Sequence, residues 1–312
     1  MRDSALVILN PKAASGKTGR WIAPMQSWLA RHHPNSVLIE TQARGHAQEL
    51  AGQAHMHGHG RVIAVGGDGT LQEIANGLME VPPSDRPILG LVPAGRGNDA
   101  ARGFALRPDV IGALRDALHA STRGVDLILA QSADGQQRYC CAAGGVGFDA
   151  QVAHTMENQR RFWMRGEIGY LLATLNELRR FQNCRLRIQL DDQEAEAGLD
   201  DRFLFTAFAN GPFYGGGMRI CPDARFDDGL IDVCMVGDLS RLQALKELPG
   251  IYQARHVYHP KVYMRRASTI TIDGDPDTRT HLAGEPFGRL PLRLSVQPRA
   301  LQVAMPHSTQ AG

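Results

Sequence analysis

The chain has 312 residues, 43% of them apolar and 21% charged, with a formal net charge of +2. That length and apolar content suffice for two packed cores, and the near balance of charge gives no footprint for nucleic acid. The apolar runs are strand-sized, far short of the roughly 20 residues that span a bilayer, Met1–Asn10 does not read as a signal peptide, and five cysteines without a Cys-x-x-Cys pair fit reduced thiols in a cytoplasm.

Strand-like segments near residues 5–9, 36–40, 61–65 and 88–92 alternate with helical stretches near 18–31, 46–55, 70–79 and 108–119. This alternation predicts an α/β domain over residues 1–127, a doubly wound open parallel sheet. After Val125-Asp126-Leu127 the pattern changes. Alternating runs at 186–190, 203–209, 230–236 and 268–272 predict antiparallel structure, a β-sandwich over residues 128–298 with helical insertions near 162–181 and 241–253. Strand-like runs at 292–296 and 301–305 close the chain, and residues 299–312 are expected to return to the first domain.

Three of the early strands end in glycine-containing loops. The first runs through Asn10-Pro11 into Ser15-Gly16-Lys17-Thr18; the third into Gly66-Gly67-Asp68-Gly69-Thr70; the fourth into Gly95-Arg96-Gly97-Asn98. Glycines let a polyphosphate approach the main chain, and a helix start offers N–H groups to an anion. Asp68 beside bound anions suggests phosphoryl transfer, where a carboxylate holds a metal, orients water or takes a proton. If these strands are neighbours, the loops converge beyond their carboxyl ends. A P-loop does not fit, because Pro11 stands where that motif needs its first glycine. Lys17 reads either as a phosphate contact or a solvated charge, and Arg96 either as a bidentate phosphate ligand or a solvent-facing loop residue.

These loops, with Thr41, Gly45-His46-Ala47, Gly147-Phe148-Asp149, the run Asn210–Gly217, Cys221-Pro222-Asp223-Ala224 and Asp227–Val233, resemble the family of diacylglycerol, sphingosine and ceramide kinases, bacterial lipid kinases included. The resemblance covers nearly the whole chain. It implies an NAD kinase-like α/β domain followed by the β-sandwich, and an ATP- and Mg2+-dependent kinase that phosphorylates a lipid hydroxyl, with diacylglycerol leading. Nucleotide contacts would come from Asn10, Ser15, Gly16, Lys17, Thr41, Gly66, Gly67, Asp68, Gly69, Thr70, Gly95, Arg96, Gly97 and Asn98, and the acceptor from a cleft facing the second domain. A structural Mg2+ would be held by the Asp228 carboxylate and the carbonyls of Arg225 and Leu230, although Asp-Asp-Gly is also a common turn. A membrane lipid as substrate implies a cytoplasmic enzyme that visits the inner membrane surface, and homodimers occur in such a family. An NAD kinase-like enzyme is the alternative that shares the Gly66–Thr70 turn.

One departure stands out. The family pattern Asp-Gly-Glu reads Ala283-Gly284-Glu285 here, so the residue expected to be the base carries only a methyl group. Either Asp68 or Glu285 takes the proton, or the chain is an impaired kinase that binds nucleotide and lipid. Two further features invite readings of their own. His55, His57 and His59 read as loop residues rather than a zinc site. Arg160–Arg165 reads as helix packing that continues into Tyr170–Leu178, or as a basic and aromatic contact with lipid headgroups.

Overall fold

The computed structural model of the chain describes residues 4–158, 181–191 and 200–305. These fall into two units: those up to residue 127, with 226–228 and 297–305, make the first, and those between 128 and 225, with 229–296, the second. The basic and aromatic run Arg160–Arg165 lies outside the described residues, as does all but the end of the helical insertion expected near 162–181.

In the first unit the strands β1 (Ala5–Leu9), β2 (Val37–Glu40), β3 (Arg61–Gly66) and β4 (Ile88–Pro93) lie in the order β2-β1-β3-β4, all parallel. β1 is buried along its whole length and β3 from Val62 onward, as strands covered on both faces must be, and their side chains are continuous apolar runs. Helices α1 (Ile22–His32), α2 (His46–Gln53), α3 (Asp68–Met79), α4 (Asp99–Gly103) and α5 (Val110–His119) connect them. Met25 and Leu29 of α1 and Leu114 and Leu118 of α5 pack with Val7, Ile63 and Val92 of the sheet. The helix expected from residue 18 begins at Ile22 instead. Ahead of it, Ala13–Trp21 forms a 3-10 segment interrupted at Ala14, Ser15 and Gly16, whose φ values of 48°, 60° and 87° no α-helix accommodates. The short α4 has no counterpart in the sequence reading.

The second unit is antiparallel. Its strands are β6 (Gln137–Cys140), β7 (Ala143–Gly147), β8 (Cys184–Leu190), β9 (Asp200–Ala209), β10 (Ile231–Gly237), β11 (Val262–Ala267), β12 (Thr269–Gly274), β13 (Thr280–Leu282) and β14 (Glu285–Pro286), and it also holds the later part of β5 (Thr122–Ser132) and the start of β15 (Leu292–Ala304). β9 carries β10 on one edge and β7 and β8 on the other, and β12 joins β8 to residues 292–295 of β15. On β10, Ile231, Val233 and Met235 enter one apolar cluster while Cys234 and Val236 enter another, so period-two alternation serves two cores. Helix α6 (Phe148–Asn158) and helix α7 (Arg241–Ile251) belong here.

The strand read at 268–272 is β12, the sequence reading lacked β11 ahead of it, and the runs at 292–296 and 301–305 are one strand, β15. β15 bridges the two apolar runs through Arg299, whose φ is 49°; its far end pairs with β4 of the first unit, Val303 beside Leu89. Cys140, Cys141, Cys221 and Cys234 are buried free thiols, and burial lifts Cys140 to about 11 and Cys234 to about 12. No helix among the described residues is long and apolar enough to cross a membrane.

Candidate active site

Because β1, β3 and β4 are adjacent and parallel, the loops that leave them emerge at one edge of the sheet. Asn10, just past β1, donates from Nδ2 to Thr70 Oγ1 at 3.1 Å, while its Oδ1 accepts the Lys12 N–H at 3.0 Å. The buried Thr18 hydroxyl lies 2.8 Å from the Ala94 carbonyl and 3.1 Å from that of Ala13, which ties the first loop to the end of β4. Ser15 Oγ accepts from Arg96 Nη2, so Arg96, although exposed, bridges the same two loops. A Cβ on Gly95 would stand 2.3 Å from Gly67 Cα and 2.7 Å from Asn98 Oδ1; the second and third loops meet because a side chain is absent there. Asn98, with φ of 52°, closes its loop by accepting the Gly95 N–H at 2.9 Å.

Asp68 opens α3 and its Oδ1 accepts the Ala100 N–H at 3.1 Å. One carboxylate oxygen thus holds the start of α4, and the other is left for further chemistry. Thr41 is buried past the end of β2, its N–H on the Leu9 carbonyl at 2.8 Å, beside the end of β1. Lys17 is exposed on the 3-10 segment and Gly69 in the first turn of α3, and Gly97 lies between Arg96 and Asn98. Thr18 was passed over in the sequence reading once the P-loop spacing failed, yet it fastens the loop. The assembly presents main-chain N–H groups, the N-terminus of α3 and a guanidinium, an arrangement suited to phosphate oxygens.

In the second unit, β13 and β14 are joined by Ala283-Gly284, with φ of 49° and 78°. Two successive left-handed residues make the type I′ hairpin turn, which favours Asp-Gly or Asn-Gly. The turn is fastened from below. Ala283 N–H donates to the Ala143 carbonyl at 2.8 Å, and Gly284 N–H donates to His281 Nδ1 at 3.2 Å. An imidazole nitrogen that accepts from an amide carries no proton, so His281 holds its proton on Nε2, where it faces buried Asp149 Oδ2 at 3.1 Å. Glu285 Oε2 meets Arg138 Nη1 at 3.3 Å. In the sequence Asp149 stands out only as the end of Gly147-Phe148-Asp149, and His281 only lies two residues before Ala283. Arg138 had no sequence signal at all, since β6 brings it to Glu285 from 147 residues away.

The chain segment with Arg225, Asp228 and Leu230 is anchored within the first unit at Phe226 and Asp227. Phe226 packs on Phe104 with ring centroids 4.3 Å apart, and its carbonyl accepts the buried Asp126 N–H at 2.7 Å. Asp227 pairs with Arg123 at 2.6 Å, and Asp228 follows it in the chain. A set of one carboxylate and two carbonyls is all oxygen, the hard donor chemistry that Mg2+ takes. Among the described residues no three His, Cys, Asp or Glu side chains are grouped to hold a metal.

The second unit also contains an apolar cleft lined by Phe148, Leu204, Phe205, Val236, Leu248 and Ile251. Buried His256 borders it, donating from Nε2 to the Ile220 carbonyl at 3.0 Å, while its Nδ1 has no partner among the described residues. Burial pushes its pKa below the ordinary value of 6.5, against the Ile220 hydrogen bond.

Residues 4–130 match the diacylglycerol kinase catalytic domain family, and residues 142–305 the YegS C-terminal NAD kinase beta sandwich-like domain. Among the relatives, a diacylglycerol kinase of Mycobacterium tuberculosis is 34% identical over 264 residues, 83% of this chain and 81% of that protein. A "Probable lipid kinase YegS-like" of Chromohalobacter salexigens is 31% identical over 280 residues, 90% of this chain and 86% of that one. The crystal structure of a diacylglycerol kinase from Bacillus anthracis superposes with a TM-score of 0.73 at 20% identity over 97% of both chains, a likeness of fold.

Proposed function

We propose, from the premise that the chain belongs to the bacterial diacylglycerol kinase-type family of lipid kinases, that it transfers the γ-phosphate of ATP to the hydroxyl of a membrane lipid, with diacylglycerol the leading acceptor. The observation that carries this reading is the meeting of three glycine loops at one sheet edge, with Asp68 at the start of α3. ATP with Mg2+ would supply the transferable phosphoryl group and the charge that offsets its oxygens. The N–H groups of Gly67–Gly69 and Arg96–Asn98 would hold those oxygens, with Arg96 as the cation between the loops. Asp228 with the Arg225 and Leu230 carbonyls would hold a structural Mg2+.

The apolar cleft of the second unit, about 50 Å³ in volume, suits the tip of one acyl chain by its lining. Glu285, paired through Oε2 with Arg138, is the carboxylate next to the turn and the candidate to accept a hydroxyl proton there. Ala283 accepts no proton, so turnover depends on positioning and charge with whatever base Glu285 or Asp68 provides.

The test is an assay with radiolabelled ATP over mixed lipid vesicles, the product identified by mass spectrometry, for the chain and for Ala283→Asp and Ala283→Asn. Both replacements suit a left-handed turn residue and should stabilise the fold by about 1 kcal/mol. Only aspartate adds a base, which should raise turnover by about 10²-fold or more. Silence of the chain and of Ala283→Asp on every lipid refutes the kinase reading and leaves a nucleotide- and lipid-binding protein. Phosphorylation of NAD without lipid would favour the NAD kinase-like alternative.

A further inference from the structure

Helix α7 covers the apolar cleft with Ala244, Leu248 and Ile251. Its outer side is apolar as well. Leu242, Leu245, Pro249 and, just past the helix, Tyr252 follow one another at steps of three or four residues and so share one stripe. Leu242 is 81% exposed, Leu245 41% and Tyr252 49%. The 3-10 turn Arg255–Tyr258, which packs against α7, adds Tyr258, at 87% the most exposed large hydrophobic side chain of those described.

Cations accompany the stripe. Between Ser240 and Lys261 the chain carries Arg241, Lys246, Arg255 and Lys261, all exposed, against one carboxylate, Glu247, on the cleft side. Arg241 and Lys261 donate to the carbonyls of Phe181 and Asp238, neutral groups that leave the positive charges in place. The chain as a whole is close to neutral, so this excess is local.

We propose that the outer face of α7 and the turn after it dock the chain on an anionic phospholipid bilayer. Leucines and tyrosines at this spacing enter the interface to the depth of the headgroups, and the surrounding cations meet the phosphates. A second copy is the poorer occupant, because a twofold contact through this face would set like charges against each other. Leu245 both lines the cleft and reaches the surface, so the docking face is continuous with the proposed acyl site. The inference rests on the lipid-kinase reading for its purpose, though vesicle binding itself requires no turnover.

Co-sedimentation of the full chain with vesicles of phosphatidylglycerol and phosphatidylcholine, and with phosphatidylcholine alone, tests it. The chain should bind the anionic vesicles in preference, less so as salt rises. Leu242→Ser/Tyr258→Ser and Lys246→Glu/Arg255→Glu should each weaken that binding about tenfold or more. Melting temperature and turnover of dispersed dihexanoylglycerol should not change, since all four side chains are exposed and outside the proposed site. Variants that sediment as the unaltered chain does overturn the proposal. A dimer split by Leu242→Ser/Tyr258→Ser, with vesicle binding intact, overturns it in favour of a second copy. Anionic-vesicle binding that both double variants weaken, without turnover of any lipid, upholds docking while the kinase reading fails.

Discussion

The loop cluster of the first unit and the Ala283-Gly284 turn of the second both rest on left-handed backbone, but they are held in opposite ways. At the edge of the parallel sheet the loops close on bare backbone, Gly95 over Gly67 with no room for a side chain, and Asn98 and Asp68 fasten them by accepting backbone N–H groups. At the turn, side chains do the holding: Asp149 faces His281, His281 accepts from Gly284, and Arg138 holds Glu285. A site made of backbone is broken by added volume, and one made of side chains by removed charge or hydrogen bonds.

Added volume should therefore hurt most in the first unit. Gly95→Ala puts a methyl 2.3 Å from Gly67 Cα, where backbone rather than a flexible side chain must yield. Overpacking of this kind costs about 1–3 kcal/mol, and the loss should appear in thermal unfolding together with weaker binding of a nucleotide analogue by calorimetry. Equal affinity in Gly95→Ala would separate the loop contact from nucleotide binding.

The turn calls for a different substitution. His281→Leu keeps bulk but removes the acceptor of the Gly284 N–H and leaves Asp149 buried without its donor, at a cost of about 1–3 kcal/mol. If the imidazole also positions the turn, Ala283→Asp should raise turnover less in His281→Leu than alone. The four rates of that double-mutant cycle give the coupling directly. Additive effects would show that His281 supports the fold without positioning Glu285.

The same contrast explains what was legible in the sequence. Gly66-Gly67-Asp68-Gly69-Thr70 and Gly95–Asn98 announce themselves because backbone sites need glycine at fixed places beside strands, and the parallel strands follow from continuous apolar runs. The Asp149–His281 contact spans 132 residues, and no local pattern pairs the first turn of a helix with a strand at such separation. The interruption at Ala14 and Ser15 was hidden for another reason: neither residue favours positive φ. Tertiary ties such as Thr18 on Ala94 hold a conformation that local preference would not select.

The smallest effect separates the cleft from the rest of the second unit by pH. His256 is buried and its pKa is held below 6.5, so between those two values the unfolded chain binds a proton that the folded chain refuses. Stability from the neutral imidazole is then complete above pH 6.5 and falls as the pH drops toward the folded value. Urea midpoints measured from pH 7.5 down to 5 should decline, and His256→Gln, which retains a donor for the Ile220 carbonyl but cannot titrate, should flatten that decline. An acyl ligand that seals the cleft keeps water from the imidazole and should steepen it, whereas binding elsewhere would leave the slope unchanged. That difference in slope would tie the apolar cleft to the lipid without any reference to turnover.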